Sequence, residues 1–131
     1  MNLNTEERAA IVNYRMEKAE DTLSEAQQIL GLKLFNLTAN RLYYAAYYAA
    51  TAVMLHNGVS SHTHKGAITL FHMNFVKTKL VSAEDGALLR RLFGMRHEGD
   101  YEDFVDFTSE DVEPLLPIVT DFVGRMKKMI K

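Results

Sequence analysis

Apolar residues recur every three or four positions almost from end to end of this chain, and strict alternation is nearly absent. That spacing predicts helices and no sheet. Residues 5–30 read as a first amphipathic helix. Ile11, Val12, Met16, Ala19, Leu23, Ala26, Ile29 and Leu30 share one face, and Glu17, Glu20, Asp21, Ser24 and Gln28 share the other. Asn4 or Thr5 is placed to cap it, Glu6 and Glu7 suit its first turn, and Gly31 is placed to end it. A second helix is expected over 38–57, stopped by Gly58. A third is expected over 63–77, capped by Ser61 or Thr63. A fourth begins at Ser82, where Ser-Ala-Glu-Asp resembles a capping box with Asp in place of Glu or Gln, and runs to about 98. The fifth starts near Thr108 with Glu110 and Asp111 in its first turn, and Pro114 and Pro117 lie early enough to kink it. Leu115, Val119, Phe122, Val123, Met126, Met129 and Ile130 form its stripe. Short connections between five helices predict an all-α, antiparallel, up-and-down bundle, with residues 1–131 as one domain.

The second helix stands apart from this pattern because it has no polar face, as expected of a central, buried helix. Its stretch NRLYYAAYYAA, residues 40–50, sorts by size on a helical wheel. Ala45, Ala46, Ala49, Ala50 and Ala52 lie on one side, where a neighbouring backbone can approach closely. Tyr43, Tyr44, Tyr47, Tyr48 and Met54 lie on the other, which suits a neighbouring helix, a ligand or a second subunit.

Composition narrows the function classes. The chain has 131 residues, 47% hydrophobic and 24% charged, which is globular rather than disordered. It has no cysteine, which excludes disulfides, thiolate metal sites and a cysteine nucleophile. No secretory signal or membrane-length apolar run is visible, so a cytoplasmic protein is expected. A net charge of −2 argues against a broad nucleic-acid-coating surface, so any RNA contact must come from a local patch. The basic C-terminus, RMKKMIK, suits the end of a helix dipole.

Three charged or titratable residues sit where apolar ones are expected. Arg96 falls inside the apolar arc Leu88, Leu89, Leu92, Phe93 and Met95. A buried arginine keeps its charge and needs an acceptor. Either it pairs with Asp100 and locks the helix end, or it meets phosphate or a base in a cleft. Arg41 lies beside Tyr44 and Tyr48, either reaching solvent or serving the same cleft. His64 shares a face with Ile68, Phe71 and Phe75, as a hydrogen-bonded core residue or a catalytic one. His62 and His64 bring no second ligand pair at helical spacing, so no metal or cofactor is expected.

Together, ERAAIVNYRMEKAEDTLSEAQQIL, NRLYYAAYYAA, HNGVSSHTHKGAITLFHMNFVK and RHEGDYEDFVDF resemble, in order and over nearly the whole chain, the small stand-alone HEPN proteins of prokaryotes. The resemblance implies a five-helix bundle, commonly a homodimer, often encoded beside a minimal nucleotidyltransferase with which it forms a toxin–antitoxin pair. Many such proteins are metal-independent RNases that use an arginine followed four to six residues later by a histidine. Arg96 matches that arginine. The downstream segment here reads Asp100–Tyr101 instead, and His97 follows Arg96 directly. Asn40, Arg41, Tyr44 and His64 match recurrent positions of this branch. The implied site is thus Arg96, His64, Asp100 and Tyr101 for chemistry, with Asn40, Arg41 and Tyr44 for RNA or nucleotide. The alternative is a non-catalytic helical dimer that binds a nucleotide or a partner protein.

Overall fold

In the computed structural model, which describes residues 3–131, the chain is an all-helical bundle. The helices are α1 (Thr5–Gly31), α2 (Phe35–His56), α3 (His64–Phe71), α4 (Ala83–Tyr101), α5 (Ser109–Val112) and α6 (Leu115–Met129). The one-turn α5 leads directly into α6, so the two occupy the place of the expected fifth helix and the bundle has five members. None of the helices is long and apolar enough to cross a membrane.

The helix starts follow local capping chemistry. Asn4 caps α1 and forms a reciprocal capping box with Glu7. Thr63 caps α3 through Gly66 N, and Thr108 with Asp111 makes the capping box of α5. At Ser82 only half of the expected box forms. The serine accepts from Asp85 N, but the Asp85 carboxylate turns to Arg125 on α6, at 2.8 and 3.0 Å. A bidentate guanidinium offers that carboxylate two charge-assisted bonds where the box offers one neutral amide.

Other boundaries differ for equally local reasons. α1 continues through Gly31, and the left-handed residue that turns the chain is Lys33, at φ 61°. α2 begins at Phe35, three residues earlier than the expected start. The third helix is α-helical only to Phe71 and then widens into a π-helical turn over His72–Val76. Gly86 of α4 packs directly against that turn, where an added Cβ would lie 2.7 Å from a methyl of Val76. Of the two prolines, Pro114 separates α5 from α6. Pro117 sits in the first turn of α6, where its missing N–H has no helical partner to lose. Lys127, in the last turn of α6, pairs with Glu20 of α1.

α2 is the central helix and packs against α1, α4 and α6. Its alanines Ala45, Ala46, Ala49, Ala50 and Ala52 are all buried, which lets the neighbouring backbones come close. Val12, Met16, Ala19 and Ala26 of α1 meet them, as do Leu115, Val119, Phe122, Val123 and Met126 of α6. Leu88, Leu89 and Leu92 of α4, with Phe71 of α3 and Phe75 of the π-helical turn, complete the core. The tyrosines divide. Tyr43 joins the core, whereas Tyr44, Tyr47 and Tyr48 line the surface between α1, α3 and the end of α4.

Candidate functional site

α4 runs on to Tyr101, so Asp100 lies one helical turn beyond Arg96 on the same side. Asn36, at the start of α2, secures this last turn. Its amide donates to Gly99 O and Val105 O, and its oxygen accepts from Phe107 N. One side chain thereby satisfies an orphan carbonyl of a helix end and ties the 102–107 loop to α2.

Arg96 is enclosed by aromatic rings. Its guanidinium carbon lies 5.3 Å from the centre of Tyr44, 5.2 Å from Tyr101 and 5.9 Å from Tyr43. Nη2 donates to Tyr44 Oη at 2.9 Å and to Tyr101 Oη at 3.1 Å. Nε lies 3.2 Å from Asp100 Oδ2, but the carboxylate is off the N–H axis, and this buried Nε makes no aligned hydrogen bond. The ion pair is therefore close without being geometrically complete. Nη1 has no hydrogen-bond partner among the described residues.

Asp100 in turn accepts from Asn40 Nδ2 at 2.8 Å. Asn40 Oδ1 accepts from both Nε and Nη2 of Arg41, and Arg41 Nη1 reaches Glu25 of α1 at 3.3 Å. Arg41 also lies over Tyr44, at 5.3 Å. Neither reading of Arg41 taken alone describes it: it keeps solvent exposure and is bound into the network.

His64, the first residue of α3, approaches from the other side. It stacks on Tyr47 at 4.2 Å with an 8° tilt and meets Tyr44 edge-on at 5.6 Å. Burial, and then the nearby Arg96 charge, hold its pKa below the ordinary histidine value. Its Nδ1 is 2.7 Å from Tyr43 Oη. Burial raises the Tyr43 phenol far above its ordinary pKa, so that hydroxyl keeps its proton. His64 Nδ1 is its one acceptor among the described residues. The neutral imidazole therefore carries its own proton on Nε2.

The fold thus gathers Asn40, Arg41, Tyr44, His64, Arg96, Asp100 and Tyr101 into one contiguous network drawn from three helices. Tyr43 and Tyr47, read from the sequence only as part of the tyrosine side of α2, orient His64, and Asn36 and Glu25 join them without having been singled out in the sequence. Tyr47 carries one legible signal, since it lies one turn beyond Tyr43 and Tyr44 on α2. Asn36 and Glu25 carry none. The arrangement presents a fixed cation, phenol and imidazole donors, and stacking faces. Among the described residues no three His, Asp or Glu side chains gather as metal ligands.

Comparison with known proteins agrees in extent. The HEPN domain family model matches residues 12–129. A UPF0332 protein of Thermotoga maritima is 32% identical over 125 residues, covering 95% of each chain. Two proteins of Methanocaldococcus jannaschii, named "Putative toxin MJ0142" and "Putative toxin MJ0605", are 24% and 29% identical. They cover 88% of this chain, and the matches span 78% and 86% of their own lengths.

Proposed function

The chain belongs to the HEPN domain family, and from that premise we propose that it is a toxin-like HEPN protein that engages RNA or a nucleotide through the Arg96 cluster. The enclosure of Arg96 carries this reading. Three tyrosine rings and two phenol oxygens hold a guanidinium whose carboxylate partner is misaligned. A phosphate reaching this site would find a cation already oriented, and an oriented cation binds at lower cost than one that must be ordered first. Names that describe two relatives as toxins fit the same role. A homodimer, and a minimal nucleotidyltransferase as partner, complete the proposed module.

Metal-independent RNA cleavage needs a base for the 2′-hydroxyl, an acid for the leaving oxygen and a cation for the phosphorane. Arg96 would be the cation, while His64 Nε2–H and the Tyr101 phenol would be donors. A second copy of the chain against this face would bring in further groups, with the exposed His97 beside Tyr101 the nearest candidate.

A second reading, binding without cleavage, rests on a separate observation. In one copy both potential bases are engaged, His64 Nδ1 by Tyr43 and Asp100 by Asn40 and Arg96. One assay separates the two readings: RNA cleavage in EDTA by wild type, Arg96→Ala and His64→Ala, with binding of the same RNA measured in parallel. Cleavage that Arg96→Ala abolishes supports the RNase. Binding without cleavage supports the second reading. No binding and no cleavage by the folded protein would sink both.

A further inference from the structure

A groove between α1 and α2 adjoins the Arg96 cluster and encloses about 370 Å³, within the ~300–1,000 Å³ typical of small-molecule sites. Its chemistry is unusual for this chain. The protein carries 17 acidic and 15 basic residues, yet among the described residues no acid lines the groove, whereas Arg15 and Lys18 both do. Neither forms an ion pair among the described residues. Arg15 is held in place by a bond from Nη1 to Thr51 O at 3.3 Å. The Lys18 ammonium lies between two aromatic rings, 5.1 Å from Tyr48 and 5.7 Å from Tyr14. Tyr14 is 61% exposed, a large ring face left open to solvent.

The groove also communicates with the cluster. Tyr48 lies 5.7 Å from Tyr44, which accepts the Arg96 hydrogen bond, and Tyr47 both lines the groove and stacks on His64. From Arg96 to Lys18 the path runs through Tyr44 and Tyr48 in three steps, each under 6 Å. Unpaired cations alternating with ring faces are what single-stranded nucleic acid binds, its phosphates on the cations and its bases on the rings.

We propose that this groove is a nucleotide subsite, in which Arg15 and Lys18 hold a phosphate and Tyr14 and Tyr48 stack a base, so that the Arg96 cluster and the groove grip neighbouring units of one strand. The proposal rests on the reading of the Arg96 cluster as an RNA or nucleotide site, which it extends to a second position.

The test is fluorescence-anisotropy binding of a labelled eight-nucleotide single-stranded RNA, with AMP as an unlabelled competitor. The proteins compared are wild type, Tyr14→Ala, Lys18→Glu and Arg96→Ala. Tyr14 and Lys18 are exposed, so their variants should keep the fold, which circular dichroism checks. Tyr14→Ala is expected to weaken RNA binding at least about fivefold. Lys18→Glu is expected to weaken it about tenfold and to flatten the dependence on salt by the loss of about one phosphate contact. Competition by AMP that both groove variants weaken would identify a single nucleotide as sufficient ligand. Groove-dependent RNA binding that AMP fails to compete would identify the strand. Groove variants that bind as wild type while Arg96→Ala fails would overturn the subsite and leave the cluster's role standing. Loss in the groove variants with full binding by Arg96→Ala would keep the subsite and sink the cluster reading. A folded wild type that binds neither probe would overturn both.

Discussion

α4 carries an Arg–Asp contact near each end, and the two are built in opposite ways. At its N-terminal end Asp85 is buried, with 7% of its side chain exposed, while its partner Arg125 on α6 is half exposed. Both bonds are short and aligned, and the pairing raises the Arg125 pKa further. At the C-terminal end the burial is reversed. Arg96 is the more enclosed partner, at 16% against 25% for Asp100, and the carboxylate misses the N–H axis. The first contact fastens α4 to α6. The second leaves a cation supported by rings and phenols, with its strongest acceptor incompletely used. An arginine held mainly by aromatic faces loses little when an incoming anion replaces its carboxylate. One held by a complete bidentate pair loses two charge-assisted bonds.

The sharpest way to break this contrast is to remove each arginine in turn. Arg96→Ala is expected to weaken RNA or nucleotide binding about a hundredfold, equivalent to ~2.7 kcal/mol. Its folding stability should fall by no more than ~1 kcal/mol, read by urea denaturation. Arg96→Lys should recover only part of the binding, because an ammonium cannot reproduce the planar fork. If Arg96→Ala instead unfolds the protein at low urea while Arg125→Ala does not, the assignment of roles is inverted.

Arg125→Ala should leave ligand binding unchanged and cost about 2 kcal/mol, since it strands the buried Asp85 carboxylate while the half-exposed arginine limits the loss. The midpoint of urea denaturation checks it.

Two glycines of the same helix extend the comparison to packing. Gly86→Ala places a methyl against Val76 and should destabilise by about 1–3 kcal/mol. Gly94→Ala meets nothing within 4 Å and should be neutral or stabilising by up to ~1 kcal/mol. Thermal unfolding of the two variants gives the sign of each directly.

The smallest effect is electrostatic. His64 in the native protein titrates below ~6.5, its ordinary value. The unfolded chain therefore binds more protons between the two values, and stability contributed by neutral His64 is lost as pH falls through that window. Removing the Arg96 charge should move the His64 midpoint upward, toward but not to 6.5, because burial remains. An NMR titration of the imidazole in wild type and Arg96→Ala measures it, and an unchanged midpoint would place Arg96 electrostatically outside the site.

Much of this molecule was legible before its coordinates were. Helical spacing located the helices, and the lack of a polar face marked α2 as central. Arg96 and His64 were visible because each breaks an apolar arc. What could not be read was how far α4 continues, and hence whether Asp100 faces Arg96. That turn is secured by Asn36, more than sixty residues away, whose own sequence context looks like any helix start. The half-formed capping box at Ser82 is the same lesson in reverse: local pattern proposed a bond, and a distant guanidinium offered a better one.

The sequence by itself determined the helices, the central place of α2 and the family, because these depend on spacing and on the order of residues along the chain. Only the tertiary structure decided that Asn40, Arg41 and Tyr44 on α2, His64 on α3, and Arg96, Asp100 and Tyr101 on α4 form one network. It alone decided that the Tyr43 hydroxyl meets His64 Nδ1, and that the open groove beside the network holds, among the described residues, two cations without an ion-pair partner and no acid. Those properties depend on which side chains meet across helices and on what each then has left to bond, and no spacing within one helix records that.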